Sequence, residues 1–163
     1  MENIKIKNIS SADQAWIKKV FQENWSSNKV VCQGKTYMYK NLQGFVAFLQ
    51  GKRVGLLTYT KHEEVVEIIT LNSTVKNVGI GSKLLNNLIE FFENKNFNSI
   101  EVATTNDNTD ALRFYQMKGF AIKKVNLNIL KDYRKIKPEI PIKGNNEIEI
   151  RDEFVLEKRV SEF

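Results

Sequence analysis

The sequence predicts a mixed α/β fold in which hairpins lead and a β-α-β-α-β run follows. Three observations carry this reading. Two apolar runs, Phe45 to Gln50 and Arg53 to Thr60, flank a Gly51-Lys52 turn, the pattern of a β-hairpin. Val65 to Leu71 places apolar residues on both faces, as a central, buried strand does. From Gly79 to about Lys95, Ile80, Leu84, Leu88 and Phe92 form one stripe that Leu85 and Ile89 widen, the spacing of an amphipathic helix.

The remaining elements follow in order. Ile4, Lys5, Ile6 and Lys7 alternate, which predicts a short first strand. Ser11-Ala12-Asp13-Gln14 has capping-box spacing and predicts a helix from there through about Asn24. Residues 26–44 show no regular pattern. After the hairpin, His62, Glu63 and Glu64 mark a turn. Ile100-Glu101-Val102-Ala103 reads as a strand, and Thr109 to Lys118 as a helix closed by Gly119. Phe120 to Leu127 returns as a strand. Residues 131–146 carry both prolines, Pro138 and Pro141, and read as an extended loop. Ile148 to Val160 is a last strand. There are no repeats, low-complexity tracts or linkers, so residues 1–163 read as a single domain.

Composition narrows the function. Hydrophobic residues are 42% and charged residues 27% of 163, the balance of an ordinary globular chain. No apolar run approaches the ~18–20 residues of a membrane span. Met1-Glu2-Asn3-Ile4-Lys5 lacks the basic start and apolar stretch of a secretory signal, so a cytoplasmic location is expected. Cys32 is the only cysteine and His62 the only histidine. A lone cysteine forms no internal disulfide and no cysteine zinc cluster, and no metal site is expected. A nucleophilic Cys32 needs a basic partner, and nothing in the sequence ties His62 to it; a strand or loop thiol is the simpler reading. The net charge of +6 attracts anions. The lysines are dispersed rather than clustered with aromatics, which argues against nucleic acid as the partner.

The most informative segment runs from Leu71 to Leu85. A buried strand enters a glycine-bearing turn, Val78-Gly79-Ile80-Gly81-Ser82-Lys83, that opens directly into the amphipathic helix. The first N–H groups of a helix lack internal partners and carry the positive end of its dipole, so an anion is favoured there. Gly-x-Gly by itself also fits a plain strand-to-helix turn. The dinucleotide fingerprint is excluded because Leu84 stands where its third glycine belongs. The P-loop is excluded because the order here is Gly81-Ser82-Lys83.

Lys76-Asn77-Val78-Gly79-Ile80-Gly81 resembles the pyrophosphate-binding motif of the GNAT superfamily of N-acetyltransferases, Gln/Arg-x-x-Gly-x-Gly/Ala. Lys76 replaces the usual Gln or Arg, and the turn after Leu71 is short. Downstream, Asn108, Ala111, Tyr115, Gly119 and Phe120 are similar to the family's second signature, Asn-x-x-Ala-x-x-x-Tyr-x-x-x-Gly-Phe. Asn108 falls at a helix N-cap, and Ala111 and Tyr115 share a helix face. The chain also resembles a subgroup with Thr-x-Asn-Asp-Asn…Ala-Leu-Arg-Phe-Tyr, here Thr105 to Tyr115, and a C-terminal Pro-x-Ile-Pro…Ile-Arg-Asp-Glu, here Pro138 to Pro141 and Ile150 to Glu153.

The resemblance implies a central, mostly antiparallel mixed sheet of six to seven strands. It is splayed between its fourth and fifth strands, Val65 to Ser73 and Ile100 to Thr104, and flanked by about four helices. It implies acetyl transfer from acetyl-CoA to a primary amine of a small molecule or peptide, by direct attack in a ternary complex. Leu71, Asn72, Ser73, Val78, Gly79, Ile80, Gly81, Ser82, Lys83, Asn106, Asn108 and Tyr115 are the implied cofactor contacts, with an oxyanion donor near Leu71 to Ser73. Tyr115 is the implied acid for the departing thiolate; a packed core aromatic is the alternative. Glu67 is the candidate base, sharing a strand face with Val65, Ile69 and Leu71; the alternative is a solvated strand start beside Glu63 and Glu64. Arg151, Asp152 and Glu153 either line an acceptor pocket or sit on a solvated edge, and Trp25, Tyr37 and Tyr39 either shape that pocket or pack under a lid. A non-catalytic acyl-CoA-binding module is the competing function. The last strand offers an edge for a homodimer.

Overall fold

The computed structural model describes residues 3–160, so Met1, Glu2 and residues 161–163 of the expected single domain lie outside it. In chain order the strands are β1 (Lys5–Asn8), β2 (Lys29–Cys32), β3 (Lys35–Met38), β4 (Gln43–Leu49), β5 (Lys52–His62), β6 (Val65–Ser73), β7 (Ser99–Thr105), β8 (Ala121–Asn126) and β9 (Glu153–Arg159). The helices are α1 (Gln14–Trp25), α2 (Ile80–Phe92), α3 (Thr109–Met117) and α4 (Ile129–Ile136). Seven strands form one sheet in the order β1-β4-β5-β6-β7-β9-β8, and β2 and β3 form a separate hairpin. Among the described residues only β6 and β7 pair in parallel, and β9 lies between β7 and β8, so the last strand is not the free edge the sequence reading expected.

The expected splay is present and has a visible cause. β6 and β7 pair from Val65↔Ser99 to Ile68↔Val102 and then part, although both strands continue. On the opposite edge of β6, Thr58 pairs with Thr70 and Tyr59 with Ile68, so Ile69 is an extra residue. Such a bulge bends its strand, here where the pairing to β7 stops. It also breaks the expected alternation. Ile69 joins the cluster on the α1 side of the sheet, whereas Leu71 packs against the cluster on the α2 side, so Glu67, Ile69 and Leu71 do not share one face.

Each face has its own core. The stripe of α2, Ile80, Leu84, Leu85, Leu88 and Phe92, covers Leu57, Val66 and Ile100. Fully buried leucines each contribute about 1.5–3 kcal/mol, which anchors this helix firmly. Gly55 permits the approach, because a Cβ there would lie 2.5 Å from Ile80 Cγ2. On the other face Ile17, Val20 and Phe21 of α1 cover Val46, Leu56 and Ile69.

Five boundaries differ from the sequence reading. The capping box lies one residue earlier, Ser10 to Asp13, with the Asp13 carboxylate accepting from Ser10 N at 2.8 Å. Asp13 also accepts from Arg53 Nε at 2.8 Å, which ties the start of α1 to β5 and selects that register. The β4–β5 turn is Gln50-Gly51, both at positive φ, rather than Gly51-Lys52. Residues 26–44 are not irregular: β2 and β3 pair around Gln33-Gly34, again with both φ positive, the geometry of a two-residue hairpin turn. The stretch read as a loop at 131–146 begins with α4, whose Leu130 and Tyr133 face Ile150 and which ends ahead of Pro138. The last strand starts at Glu153, because residues 149–152 are held by Asn106 instead of by the sheet.

Candidate active site

The glycine turn opens α2 as the sequence predicts. Gly79 is the residue before the helix, with φ 76°, and a Cβ there would meet nothing within 4 Å. Glycine is needed for the backbone angle and not for space. Val78, Gly79 and Lys83 are exposed, and Gly81 and Ser82 are half-buried. The N–H groups of Ile80, Gly81 and Ser82 have no carbonyl one turn back within the helix, whereas Lys83 N donates to Gly79 O at 3.0 Å. The turn is therefore an open set of donors with Lys76 and Lys83 exposed alongside, the electrostatics an anion requires.

The slot between β6 and β7 opens into a cavity of about 480 Å³ that passes between the two faces of the sheet. Leu71 and Thr105 line it from the parted strands, Asn108 from the N-cap of α3, Tyr115 from within α3, and Cys32 from β2. Beyond Ile68 the β7-facing edge of β6 has no strand partner, which leaves backbone groups between Ile69 and Ser73 available to a guest. Asn72 and Ser73 lie past this point and border a smaller hollow of about 280 Å³ against α1. The Asn72 side-chain oxygen is buried there without a partner.

Tyr115 is packed as a core aromatic and also borders the cavity. It is 5% exposed and stacks edge-on against Phe114 and Phe120, yet it lines the cavity. Burial pushes its hydroxyl well above the ordinary phenol range, so it stays protonated, as a proton donor must. Asn108 caps α3, its Oδ1 accepting from Ala111 N at 3.2 Å, and lines the same cavity. Asn106 has another task. Its side chain accepts from Arg151 N and Asp152 N and donates to Glu149 O, fastening residues 149–152 beside α3.

Glu67 is not solvated. It is 3% exposed, inside β6, and paired across to Thr60 and Glu101. Its Oε1 accepts from Gln33 Nε2 at 3.0 Å and from Cys32 Sγ at 3.4 Å. Its Oε2 accepts from Tyr37 Oη at 3.1 Å and lies 2.8 Å from His62 Nε2. Burial and the neighbouring Glu67 carboxylate push the Cys32 thiol far up, which keeps it protonated and ends the case for a nucleophilic cysteine. Glu67 does not itself line the cavity; Cys32 stands between.

Gln33, which the sequence reading passed over, joins three carboxylates. Its side chain donates to Glu67 and, at 3.3 Å, to Glu101, and its backbone N–H donates to Glu153 at 3.1 Å. The signal was present as two short β-rich runs flanking Gln33-Gly34. Of the charged step, Asp152 and Glu153 are buried and Arg151 is exposed. Only Glu153 reaches the cavity, as does Trp25 from α1. Tyr37 instead serves Glu67, and Tyr39 packs on Phe21. Lys137 is a second residue that sequence reasoning missed: it lines the cavity with 3% exposure.

The slot, the open helix start and the sheet order define a class that comparison confirms. The acetyltransferase (GNAT) family model matches residues 14–120, and the chain belongs to that family. It is 39% identical over 141 residues to the uncharacterized protein YxbD of Bacillus subtilis (strain 168), covering 86% of this chain and 89% of that one. It is 35% identical over 139 residues to the uncharacterized protein YdhI of the same organism, covering 85% and 87%. An IAA acetyltransferase from Bacillus cereus ATCC 14579 superposes with a TM-score of 0.73 at 18% identity, over 96% of this chain and 99% of that one. A GNAT family acetyltransferase from Elizabethkingia anophelis with acetyl-CoA bound superposes with a TM-score of 0.72 at 21% identity, over 96% and 98%. These two structures share the fold with this chain. No helix among the described residues is long and apolar enough to cross a membrane.

Proposed function

We propose that the chain, acting as one domain, transfers the acetyl group of acetyl-CoA to a primary amine by direct attack in a ternary complex. The observation that carries this is the slot itself: two parallel strands that separate at a bulge, with an open helix N-terminus at the end of one and a buried tyrosine beside the gap. In this reading the diphosphate of the substrate sits on the N–H groups of residues 79–82. Its arm lies against the unpaired edge of β6 between Ile69 and Ser73. An N–H of that edge near Leu71 to Ser73 stabilises the negative charge that develops on the carbonyl oxygen.

The amine enters from the opposite face, past Cys32. Its nitrogen forms the new bond to the acetyl carbon as the carbon–sulfur bond breaks. The departing thiolate takes the Tyr115 proton. The amine's proton leaves toward Glu67, reached through the polar groups around Cys32, and His62 at 2.8 Å connects that carboxylate to solvent.

Calorimetry with acetyl-CoA followed by thiol release across an amine series tests the proposal. Heat on titration and thiol release with an amine support it. Heat without turnover of any amine would leave a binding module, and no heat at all would end the assignment.

A further inference from the structure

The cavity is lined by two buried, oppositely charged side chains that no ion pair neutralises among the described residues. Lys137 is 3% exposed. Its ammonium makes one hydrogen bond, to the Lys29 carbonyl at 3.1 Å, out of three it can donate. Burial holds its proton affinity below that of a free lysine; exposed Glu139 opposes this and Lys29 adds to it. Glu153 is also 3% exposed and receives three neutral donors: Tyr133 Oη at 2.9 Å, Asn126 Nδ2 at 3.0 Å and Gln33 N at 3.1 Å. The third buried charge on the wall, Asp107, is turned to the loop, accepting from Asn145 N and Thr105 Oγ1. An ion out of water is costly until a counter-charge arrives, and Lys137 and Glu153 face the same space.

Their separation is set by β2. Lys137 bonds the carbonyl of Lys29 at one end of that strand, and Glu153 bonds the N–H of Gln33 just past the other. The three residues between those two groups, Val30 to Cys32, at about 3.3 Å each put the two charges on the order of 10 Å apart. Glu153 is the end nearer the reaction, because it pairs with Thr105, the last residue of the parted strand β7. The amine and carboxylate of a single α-amino acid cannot span this gap, whereas a chain of about two or three residues at ~3.3–3.6 Å each can.

The geometry points to an acceptor that carries an anion at the end remote from its amine, with the length of a di- or tripeptide: the amine at Glu153 and the terminal carboxylate at Lys137. This rests on the acetyl-transfer reading and adds the acceptor class to it. Lys137 then decides between a free peptide and a longer chain, in which the same position is an uncharged amide.

The test is thiol release from acetyl-CoA with paired tripeptides, each as free acid and as C-terminal amide, their first residue apolar, acidic or basic, with glycine alone included. Expected is a kcat/KM at least about tenfold higher for free acids than for amides, as loss of a charged hydrogen bond predicts, with glycine poorest. Lys137→Met should erase the difference while amides still turn over. Equal rates for acid and amide in the unaltered protein, or a preference that survives in Lys137→Met, overturns the assignment and leaves acetyl transfer standing. The unaltered protein decides by itself should the variant not fold. Absence of thiol release with every amine, together with no heat on adding acetyl-CoA, removes both readings.

Discussion

On the α2 side of the slot, the residues that matter come from one stretch of chain: β6, the Gly79 turn, α2 and α3 lie between residues 65 and 120. On the α1 side they come from both ends of the chain. The tip of β2–β3 meets Glu67, 34 residues away, and Glu153, 120 residues away, while Lys137 reaches back 108 residues to Lys29. The first region is built by local rules of helix start, apolar stripe and bulge. The second is a polar network that exists only once distant segments have docked. In the proposed reaction the first region receives the cosubstrate and the second the acceptor.

The comparison breaks most sharply at Tyr115. If Tyr115 is the acid, Tyr115→Phe, which keeps the ring contacts and removes the hydroxyl, should lower kcat about a hundredfold or more with little change in melting temperature. Full turnover would return Tyr115 to a core role. Glu67→Gln comes next. If Glu67 is the base, the acidic limb of the pH–rate profile should vanish and turnover should drop at least about tenfold. A profile that keeps its limb would transfer the base role to Glu153, which lines the cavity directly.

Gln33→Ala sharpens the contrast between the two regions. It removes the side-chain donor shared by Glu67 and Glu101 and should cost about 1–3 kcal/mol in denaturant unfolding. Acetyl-CoA affinity should hold while the acceptor KM rises. Gly79→Ala should do the reverse, straining a left-handed position by about 1–2 kcal/mol and weakening acetyl-CoA in calorimetry while leaving the acceptor KM alone.

The smallest effect lies at Asp13. Burial pushes its carboxyl up, but hydrogen bonds from Ser10 and Arg53 outweigh this and hold it below the usual range. The native state thus favours the ionised form more than the unfolded chain does. That stability is present above the ordinary carboxylate range and is lost as pH falls through the depressed value. Asp13→Asn should flatten this acid limb in thermal melts and leave the neutral pH activity unchanged.

Much of the fold was legible because its signals are short-range. The stripe from Ile80 to Phe92 and the Gly79 and Gly119 turns need only the periods and dihedral preferences of the local chain. The β2–β3 hairpin was missed because its turn residue Gln33 takes a left-handed conformation without being glycine or asparagine, held there by three carboxylates from elsewhere. α4 was missed because it is one short helix whose fully buried residues are only Leu130 and Tyr133, with Ile129 half-buried beside them, and its partner Ile150 lies beyond both prolines.

The sequence by itself determined the strand-turn-helix start, the α2 stripe and the Asn108–Tyr115 spacing, since each is a pattern within one short continuous stretch of chain. Only the tertiary structure decided that Glu67 is buried, that the bulge at Ile69 turns Leu71 to the other face, and that Lys137 and Glu153 share a cavity. Burial and counter-charge are properties of what surrounds a residue, and here the surroundings arrive from more than a hundred residues away.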